Sequence, residues 1–265
     1  MLSVCEIVQK DSHSKFTILL KCIKVVKNWY IIPLVYYGLV KSQFVILKLK
    51  DGMKIKLRTD STDLQAFVNV WIIQEYQKDG FEIQNDDVII DIGGHIGLFS
   101  LYSSQFCKNG KIFSFEPIKE NYNLLRDNIE QNNIKNIKTF NVAISNKKEK
   151  NRIYLSDDDQ AAHSFYGIGK KSIEVETTTL DHVIRSENII KCDLLKLDCE
   201  GAEYEIIDSL TDDILSKIKK ICLEYHFLNS KPFLLNDLKN KLKTHYNLED
   251  LPSIDGMGIL FAKHV

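Results

Sequence analysis

The chain has 265 residues, 44% hydrophobic and 27% charged, which is typical of a globular α/β domain with an appendage and excludes a disordered or fibrous protein. Its 35 basic and 36 acidic residues give a formal net charge of -1, which excludes the basic excess expected of a nucleic-acid-binding protein. The six cysteines form no C-x-x-C pair and the first residues lack a secretory signal, so the sequence predicts reduced thiols and a cytoplasmic location.

The most apolar stretch covers residues 16–40. Lys21, Lys24 and Lys27 interrupt it at roughly helical spacing, and Pro33 breaks it. Three lysines near its middle argue against a membrane-spanning helix and favour an amphipathic one. Such a helix could cover a hydrophobic surface of this protein, bury itself against a second subunit in a homodimer, or lie on a membrane surface.

A β-hairpin is predicted at residues 44–58. Apolar and basic residues alternate on both sides of Asp51-Gly52, a dipeptide that favours a tight turn. Residues 63–76 then have the pattern of a helix.

Beyond Gly80 the pattern changes, so we predict an appendage over residues 1–80 and a second domain over residues 81–265. In this second part short apolar runs alternate with helical segments, and residues 151–177 interrupt the alternation as an inserted β excursion. This order predicts a mostly parallel, doubly wound, Rossmann-like sheet. The predicted strands are 88–91, 111–116, 138–143, 194–198, 221–225 and 258–262.

A glycine-rich turn follows the first of these strands. Asp91 ends the strand, and Gly93, Gly94 and Gly97 follow it. Glycine lets the backbone approach a ligand closely, and ligands of such sheets bind beyond the carboxyl ends of the strands. The spacing is not the G-x-G-x-x-G of dinucleotide enzymes. A carboxylate at Asp91 would repel a pyrophosphate, but it suits S-adenosylmethionine, which carries an ammonium and a sulfonium group and no phosphate.

Two later segments extend this candidate cofactor site. Glu116 ends the next strand, where an acid can accept hydrogen bonds from both hydroxyls of a ribose. Asn141, Val142 and Ala143 end the third strand, where an adenine would lie, and are expected to act through backbone groups and shape.

In these motifs the sequence resembles the FkbM-type methyltransferase family. The match runs in register from about Asp86 to Tyr225, and its most diagnostic part is the K-x-D-x-E-G-A-E block from Lys196 to Glu203. The residues that carry it are Asp91 to Gly97, Phe115-Glu116-Pro117 with Asn121 and Asn128, Asn141 to Ser145, Thr179-Leu180-Asp181, and Lys196 to Glu203.

The resemblance implies a class I methyltransferase fold, S-adenosylmethionine as donor, and O-methylation of a small-molecule or glycan hydroxyl. Two departures keep the glycine turn: His95 replaces a commoner Asn-like residue, and Gly94 a common alanine. The resemblance to the family does not explain the first 40 residues. The cofactor-binding residues expected are Asp91, Gly93, Gly94, His95, Gly97, Glu116, Asn141, Val142, Ala143 and Asp198.

Candidate catalytic residues follow two neighbouring strands. Asp198 and Glu200 follow one, and Glu224 and His226 end the other. Methyl transfer requires the acceptor at roughly 3 to 3.5 Å from the methyl carbon, and a base that takes the hydroxyl proton. We predict Asp198, His226 and Glu200 as catalytic residues, with Asp198 and His226 as candidate bases.

Each of these residues has an alternative role. Asp198 could hold the cofactor or cap the following helix, and His226 could be a hydrogen-bonded structural histidine. Glu200 and Glu203 suit the positive end of a helix dipole. A divalent metal held by Asp198, Glu224 and a neighbour is an open alternative, but no dedicated ligand spacing predicts one.

Other readings of the chain also stay open. A polar loop at residues 157–166 could face the acceptor through His163 and Ser164, or be a plain surface loop. Two competing functions are a nucleotide-dependent oxidoreductase and a Rossmann-like binding protein without catalysis. Asp91 and the absent third glycine of the dinucleotide fingerprint argue against the oxidoreductase.

Overall fold

The computed structural model describes residues 14–155, 171–226, 232–252 and 256–265. Its first elements form an N-terminal layer that precedes the main sheet. They are α1 (Lys15–Val25), α2 (Ile31–Tyr36), β1 (Phe44–Lys48), β2 (Lys54–Arg58) and α3 (Asp63–Phe67), which continues as a π-helical segment (Val68–Ile73).

The remaining elements build the α/β part of the chain. The strands are β3 (Val88–Ile92), β4 (Lys111–Phe115), β5 (Ile137–Phe140), β6 (Ala143–Ile144), β7 (Lys150–Leu155), β8 (Lys171–Thr178), β9 (Leu194–Leu197), β10 (Lys220–Tyr225), β11 (Tyr246–Pro252) and β12 (Gly258–His264). The helices are α4 (Leu98–Ser104), α5 (Lys119–Gln131), α6 (Leu180–Ser186), α7 (Glu203–Ser209), α8 (Asp212–Leu215) and α9 (Pro232–Leu242).

Seven strands form one sheet in the order β11-β12-β10-β9-β3-β4-β5. The five strands from β10 to β5 run parallel, whereas β12 runs antiparallel to both of its neighbours. The chain leaves β3 toward β4 on one side and returns to β9 on the other, so the topological switch point lies between β3 and β9. This topology confirms the Rossmann-like class I methyltransferase fold.

The inserted β excursion is confirmed as well. β8 pairs antiparallel with β7 and parallel with β6. The predicted strand over 138–143 was wrong in its extent, because the main-sheet strand ends at Phe140. There the side-chain amide of Asn141 donates hydrogen bonds to the carbonyls of Glu116 and Pro117, both at 2.9 Å, and Ala143 joins the smaller sheet instead.

The amphipathic segment at residues 16–40 forms two helices, whereas the sequence suggested one helix that ends at Pro33. Helix α1 ends at Val25 because the following backbone pairs with the hairpin: Lys27 N donates to the Lys48 carbonyl, and Lys50 N to the Val25 carbonyl. Pro33 lies in the first turn of α2, where a missing backbone N–H costs nothing. Within the described residues, no helix has the length and apolar character needed to cross a membrane.

The predicted helix over 63–76 ends early. Its π-helical second half stops at Ile73, and Gln74 takes a left-handed conformation with φ 61°. Trp71 anchors this half by donating from its indole nitrogen to the Leu98 carbonyl at 3.2 Å. The chain that follows therefore passes over the carboxyl ends of the central strands, where Tyr76 lies.

The hairpin is tied to its surroundings by asparagine amides. Asn128 bonds both the N–H and the carbonyl of Lys56, and Asn132 does the same with Lys54. Asn128 and Asn132 are four helical residues apart, about 6 Å, and Lys54 and Lys56 are two strand residues apart, about 6.6 Å. These nearly equal spacings let both amides bond the strand. On the other side, Asn28 accepts from the Lys48 N–H and donates to the carbonyl of residue 46.

The N-terminal layer shares one hydrophobic cluster with the sheet. Cys22, Leu57 and Phe67 are buried in the same cluster as Ile89 and Leu101. The boundary near Gly80 stays a prediction.

Candidate active site

The candidate site lies at the carboxyl ends of β3, β4, β9 and β10, beside the switch point. Asp91 and Glu116 come from β3 and β4, and Asp198, Glu224 and His226 come from β9 and β10. The chain order of the strands thus brings together the predicted cofactor-binding and catalytic carboxylates.

Asp91 is fully buried beneath the glycine turn. Its Oδ2 accepts hydrogen bonds from Ser100 Oγ at 2.7 Å and Ser114 Oγ at 3.3 Å, and its Oδ1 lies 3.3 Å from the ammonium of Lys196. The carboxylate therefore joins β3, β4, β9 and α4. Its charge is offset from within the protein.

The glycines of the turn are required by close packing. A Cβ at Gly93 would stand 1.7 Å from the carbonyl oxygen of Asp198, and one at Gly94 would stand 2.3 Å from Ser114 Oγ. Gly93 and Gly97 also have φ of 80° and 91°, which favours glycine. The turn can therefore lie against β4 and β9 only because these side chains are absent.

Glu116 closes the turn from the side of β4. Its two carboxylate oxygens accept from the backbone N–H groups of His95 and Ile118, both at 2.8 Å. Burial raises the pKa of Glu116 to about 7. The Asn121 side chain also hydrogen-bonds this carboxylate. A carboxylate has about four acceptor positions, so one position remains for a ribose hydroxyl.

His95 connects the turn to the N-terminal layer. Its Nε2 lies 3.1 Å from the Arg58 guanidinium and 3.3 Å from Asp63, which itself pairs with Arg58. Burial lowers the pKa of His95 to about 4, so the ring is neutral at pH 7 and its Nε2 accepts from Arg58. Residue 95 has φ 49°, a conformation in which His and Asn are several-fold enriched.

Asp198 is the most open of the carboxylates at the strand ends. Its side chain is 29% exposed and its Oδ2 lies 3.4 Å from the Lys196 ammonium. Burial opposes ionisation, but Lys196 and His226 outweigh it and lower the pKa of Asp198. Lys196 also donates to the Gly93 carbonyl at 2.9 Å and so fixes the glycine turn to β9.

Tyr76 bridges two carboxyl groups. Its hydroxyl lies 3.1 Å from Asp198 Oδ2 and 3.2 Å from Glu224 Oε2. A phenol has one proton, so it donates to one carboxylate while its oxygen accepts from the other when that group is protonated. Burial, together with the negative charge of Asp198, raises the pKa of Glu224, which makes Glu224 the member of the pair that keeps a proton.

The loop after β9 owes its shape to the diagnostic block. Glu200 and Gly201 are both left-handed, with φ of 54° and 105°. The buried carboxylate of Glu203 accepts from the N–H groups of Cys199 and Gly201, both at 2.7 Å, and so closes the loop. Burial raises the pKa of Glu200 to about 8.

His226 lies among carboxylates. Its ring nitrogens are 3.5 Å from Glu200, 3.3 Å from Glu203 and 4.0 Å from Glu224. Burial opposes protonation, but Glu200 and Glu203 outweigh it and raise the pKa of His226 well above its usual value. The ring is therefore an imidazolium near neutral pH, and Glu203 is its nearest carboxylate partner.

Three of these residues could also hold a divalent cation. Asp198, Glu224 and His226 each offer a ligand atom within 4.8 Å of the others. A metal ligand must be a neutral imidazole. The carboxylates around His226 favour its protonated form, so a divalent cation would have to displace this proton in order to bind.

Several features of the site were not predicted from the sequence. Arg58 and Asp63 come from the N-terminal layer and Tyr76 follows it, and the site residues that they contact are remote in the chain. Lys196 had a signal, since a lysine within a fully apolar strand is unusual. Of the other predicted residues, Val142 is half-buried and Ala143 buried, whereas His163 and Ser164 lie outside the described residues.

The sequence is similar to that of known methyltransferases. The profile of the methyltransferase FkbM domain matches residues 91–249, more than half of the chain. Methyltransferase sdnD of Sordaria araneosa is 25% identical over 191 residues, which cover 60% of this chain and 73% of that protein.

Two further relatives are matched over smaller shares of their own length. Hexuronic acid methyltransferase AglP of Haloferax volcanii is 23% identical over 146 residues, which cover 55% of this chain and 58% of that protein. AMB antimetabolite synthetase AmbE of Pseudomonas aeruginosa is 22% identical over 199 residues, 61% of this chain but 9% of that protein. The chain thus spans less than two thirds of the length of each of these two relatives.

Proposed function

This chain belongs to the FkbM methyltransferase family, whose methyl donor is S-adenosylmethionine, and we propose that it methylates a hydroxyl oxygen of a small-molecule or glycan acceptor. The observation that carries the proposal is the ionised, partly exposed carboxylate of Asp198 at the switch point, linked through Tyr76 to Glu224. This arrangement offers a hydroxyl an oriented hydrogen-bond acceptor that can take its proton.

The donor set fits S-adenosylmethionine. Glu116 has an acceptor position left for a ribose hydroxyl, beside a turn that no Cβ obstructs. Asp198 is ionised at the switch point, and its negative charge suits a ligand that carries an ammonium and a sulfonium. The cations beside it in the described part of the chain, Lys196 and His226, lie against carboxyl groups, which disfavours the pyrophosphate of a nucleotide.

The chemistry requires one proton acceptor. S-adenosylmethionine supplies an electrophilic methyl carbon, whose bond to sulfur breaks as its bond to the acceptor oxygen forms. Asp198 accepts the hydroxyl proton and holds it until the product leaves and solvent takes it up; the Tyr76 hydroxyl, which donates to Asp198 and accepts from protonated Glu224, orients this carboxylate. His226 is already an imidazolium and therefore does not act as the base.

A glycan or small polar acceptor has the support of one relative. AglP is named a hexuronic acid methyltransferase, and its similarity to this chain favours a sugar hydroxyl over a nucleic acid. The five cysteines among the described residues are free, and four of them are buried, which supports a reducing compartment such as the cytoplasm.

The test is calorimetric titration with S-adenosylmethionine. We expect saturable binding by the wild type, at least about tenfold weaker binding by Glu116→Gln because one of two N–H acceptors and the charge are lost, and unchanged binding by the exposed control Glu120→Gln. Formation of S-adenosylhomocysteine is then measured by mass spectrometry across uronic acids, neutral sugars and small alcohols.

Two results would contradict the proposal. Binding of NADH in place of S-adenosylmethionine would favour the oxidoreductase. Tight S-adenosylmethionine binding with no turnover on any hydroxyl acceptor would favour a binding protein without catalysis.

A further inference from the structure

Large hydrophobic side chains are exposed mainly in one part of the described structure. Eight of the thirteen that are exposed there fall between residues 16 and 39. Contiguous apolar patches on a protein surface mark contacts with other proteins or with membranes. The eight are Phe16, Leu20, Trp29, Tyr30, Leu34, Tyr36, Tyr37 and Leu39, with exposures from 36% to 69%.

The two ends of this segment meet in space. Lys15 Nζ, at the start of α1, donates to the Tyr36 hydroxyl at 2.8 Å and lies over the Tyr36 ring, so the start of α1 meets the end of α2. The Tyr36 and Tyr37 rings touch edge to face, with centroids 5.1 Å apart. The opposite faces of the two helices, including Cys22 and Ile32, are buried in the core.

The charge of this surface has one sign. Residues 14–50 contain seven lysines and no aspartate or glutamate, although the whole chain has 36 acidic residues against 35 basic ones. Lys24, Lys27 and Lys41 are exposed beside the apolar side chains. A purely apolar contact, such as the interior of a dimer, would not need this segregation of charge.

We propose that the exposed side chains of residues 15–41, here called the basic aromatic surface, dock this protein on the face of an anionic lipid bilayer. Tryptophan and tyrosine favour the interface between lipid headgroups and acyl chains, and each lysine near an anionic surface adds attraction. Helix α1 has 11 residues and is therefore about 16 Å long, roughly half of a hydrocarbon core of about 30 Å. It accordingly lies along the membrane with its apolar outer side inserted.

Flotation of the full chain with lipid vesicles tests the proposal. Neutral phosphatidylcholine vesicles are compared with vesicles in which phosphatidylglycerol replaces part of the phosphatidylcholine. We expect the wild type to float with the anionic vesicles, to stay behind with the neutral ones, and to be released when salt is raised to about 0.5 M, because salt screens exposed charges.

Two variants separate charge from apolar contact. K24E/K27E should weaken binding to anionic vesicles by about tenfold or more, and F16S/L39S should weaken it by a similar factor. The controls K147E/K148E and I190S make the same kinds of change at exposed residues outside the surface and should bind like the wild type. S-adenosylmethionine binding by all variants shows that they are folded.

Three outcomes would overturn the proposal: no flotation of folded wild type with anionic vesicles, equal loss of binding in the control variants, or a wild-type dimer in solution that F16S/L39S converts to a monomer. The last outcome would assign the surface to a second copy of this chain. None of these results depends on the acceptor of the methyl group.

Discussion

The hydroxyl of Tyr76 donates toward Oδ2 of Asp198 across 3.1 Å, although the two residues are 122 positions apart in the chain. Tyr76 follows the π-helical end of the N-terminal layer, and Asp198 follows a central strand of the sheet. The layer therefore positions a residue of the candidate active site, and its removal would displace one of the groups that contact the proposed base.

Replacement of Tyr76 by phenylalanine tests whether its hydroxyl orients Asp198. Y76F keeps the ring that packs at 5.4 Å on Phe99 but removes the hydroxyl between Asp198 and Glu224. We expect kcat to fall by roughly 10-fold to 100-fold with little change in S-adenosylmethionine affinity, because Asp198 loses the hydrogen bond that orients it and a well-placed general base contributes about 10²-fold to 10⁴-fold. The control is Y122F, and a wild-type kcat in Y76F would contradict a positioning role for Tyr76.

Replacement of Asp198 by asparagine tests the base itself. D198N cannot take a proton at neutral pH, so we expect kcat to fall by about 10²-fold or more in single-turnover measurements. The matched control is D208N, which changes an exposed aspartate on α7. If D198N loses donor affinity but keeps kcat at saturating donor, Asp198 holds the cofactor and another group is the base.

The neutral state of His95 predicts a pH dependence of stability. Its pKa is about 4 in the folded protein and near 6.5 in the unfolded chain, so between these values only the unfolded chain binds the proton. The contribution of His95 to stability is therefore present above pH 6.5 and is lost as pH falls toward 4. H95N has no such group, and asparagine tolerates the left-handed backbone found there.

Urea unfolding at a series of pH values measures the effect. The free energy of unfolding of the wild type should fall relative to that of H95N by on the order of 2 kcal/mol between pH about 7 and pH about 4. H182N, which changes an exposed histidine, is the control. Parallel pH profiles of wild type and H95N would show that His95 is protonated in the folded protein.

The close packing at Gly93 predicts a large effect of one methyl group. In G93A the Cβ would stand 1.7 Å from the Asp198 carbonyl oxygen at a left-handed φ of 80°, so the strand ends must move apart. We expect a loss of about 3 kcal/mol or more in the free energy of unfolding. The control G38A also has a left-handed φ, but its Cβ would meet nothing within 4 Å, and its cost should be about 1 kcal/mol.

The sequence predicted those parts of the fold that local patterns specify. The apolar runs that became β3, β4, β9 and β10 are buried on both faces, and such strands are readable without knowledge of their neighbours. Strand β11 was not predicted, because half-exposed and charged residues make up most of Tyr246–Pro252 and only its pairing with β12 defines it. The end of α1 was misplaced for the same reason, since partners in the hairpin decide it.

The candidate site shows the same division. Asp91, Glu116 and Asp198 were found because they end strands in chain order. The roles of Tyr76 and Arg58 depend on contacts with residues far away in the chain, and no local spacing predicts these. The protonation states of His95 and His226 could not be predicted from the sequence either. Burial lowers the pKa of His95, whereas three neighbouring glutamates raise the pKa of His226.

The asparagines around the hairpin have a consequence for solubility. A two-stranded sheet has two outer edges, and an open edge invites pairing with a strand of another molecule. Here Asn128 and Asn132 occupy the donors and acceptors along one edge, and Asn28 occupies part of the other. The hairpin is thereby protected against strand addition and aggregation by three side chains, which leaves the N-terminal layer free to present its lysines and aromatic rings.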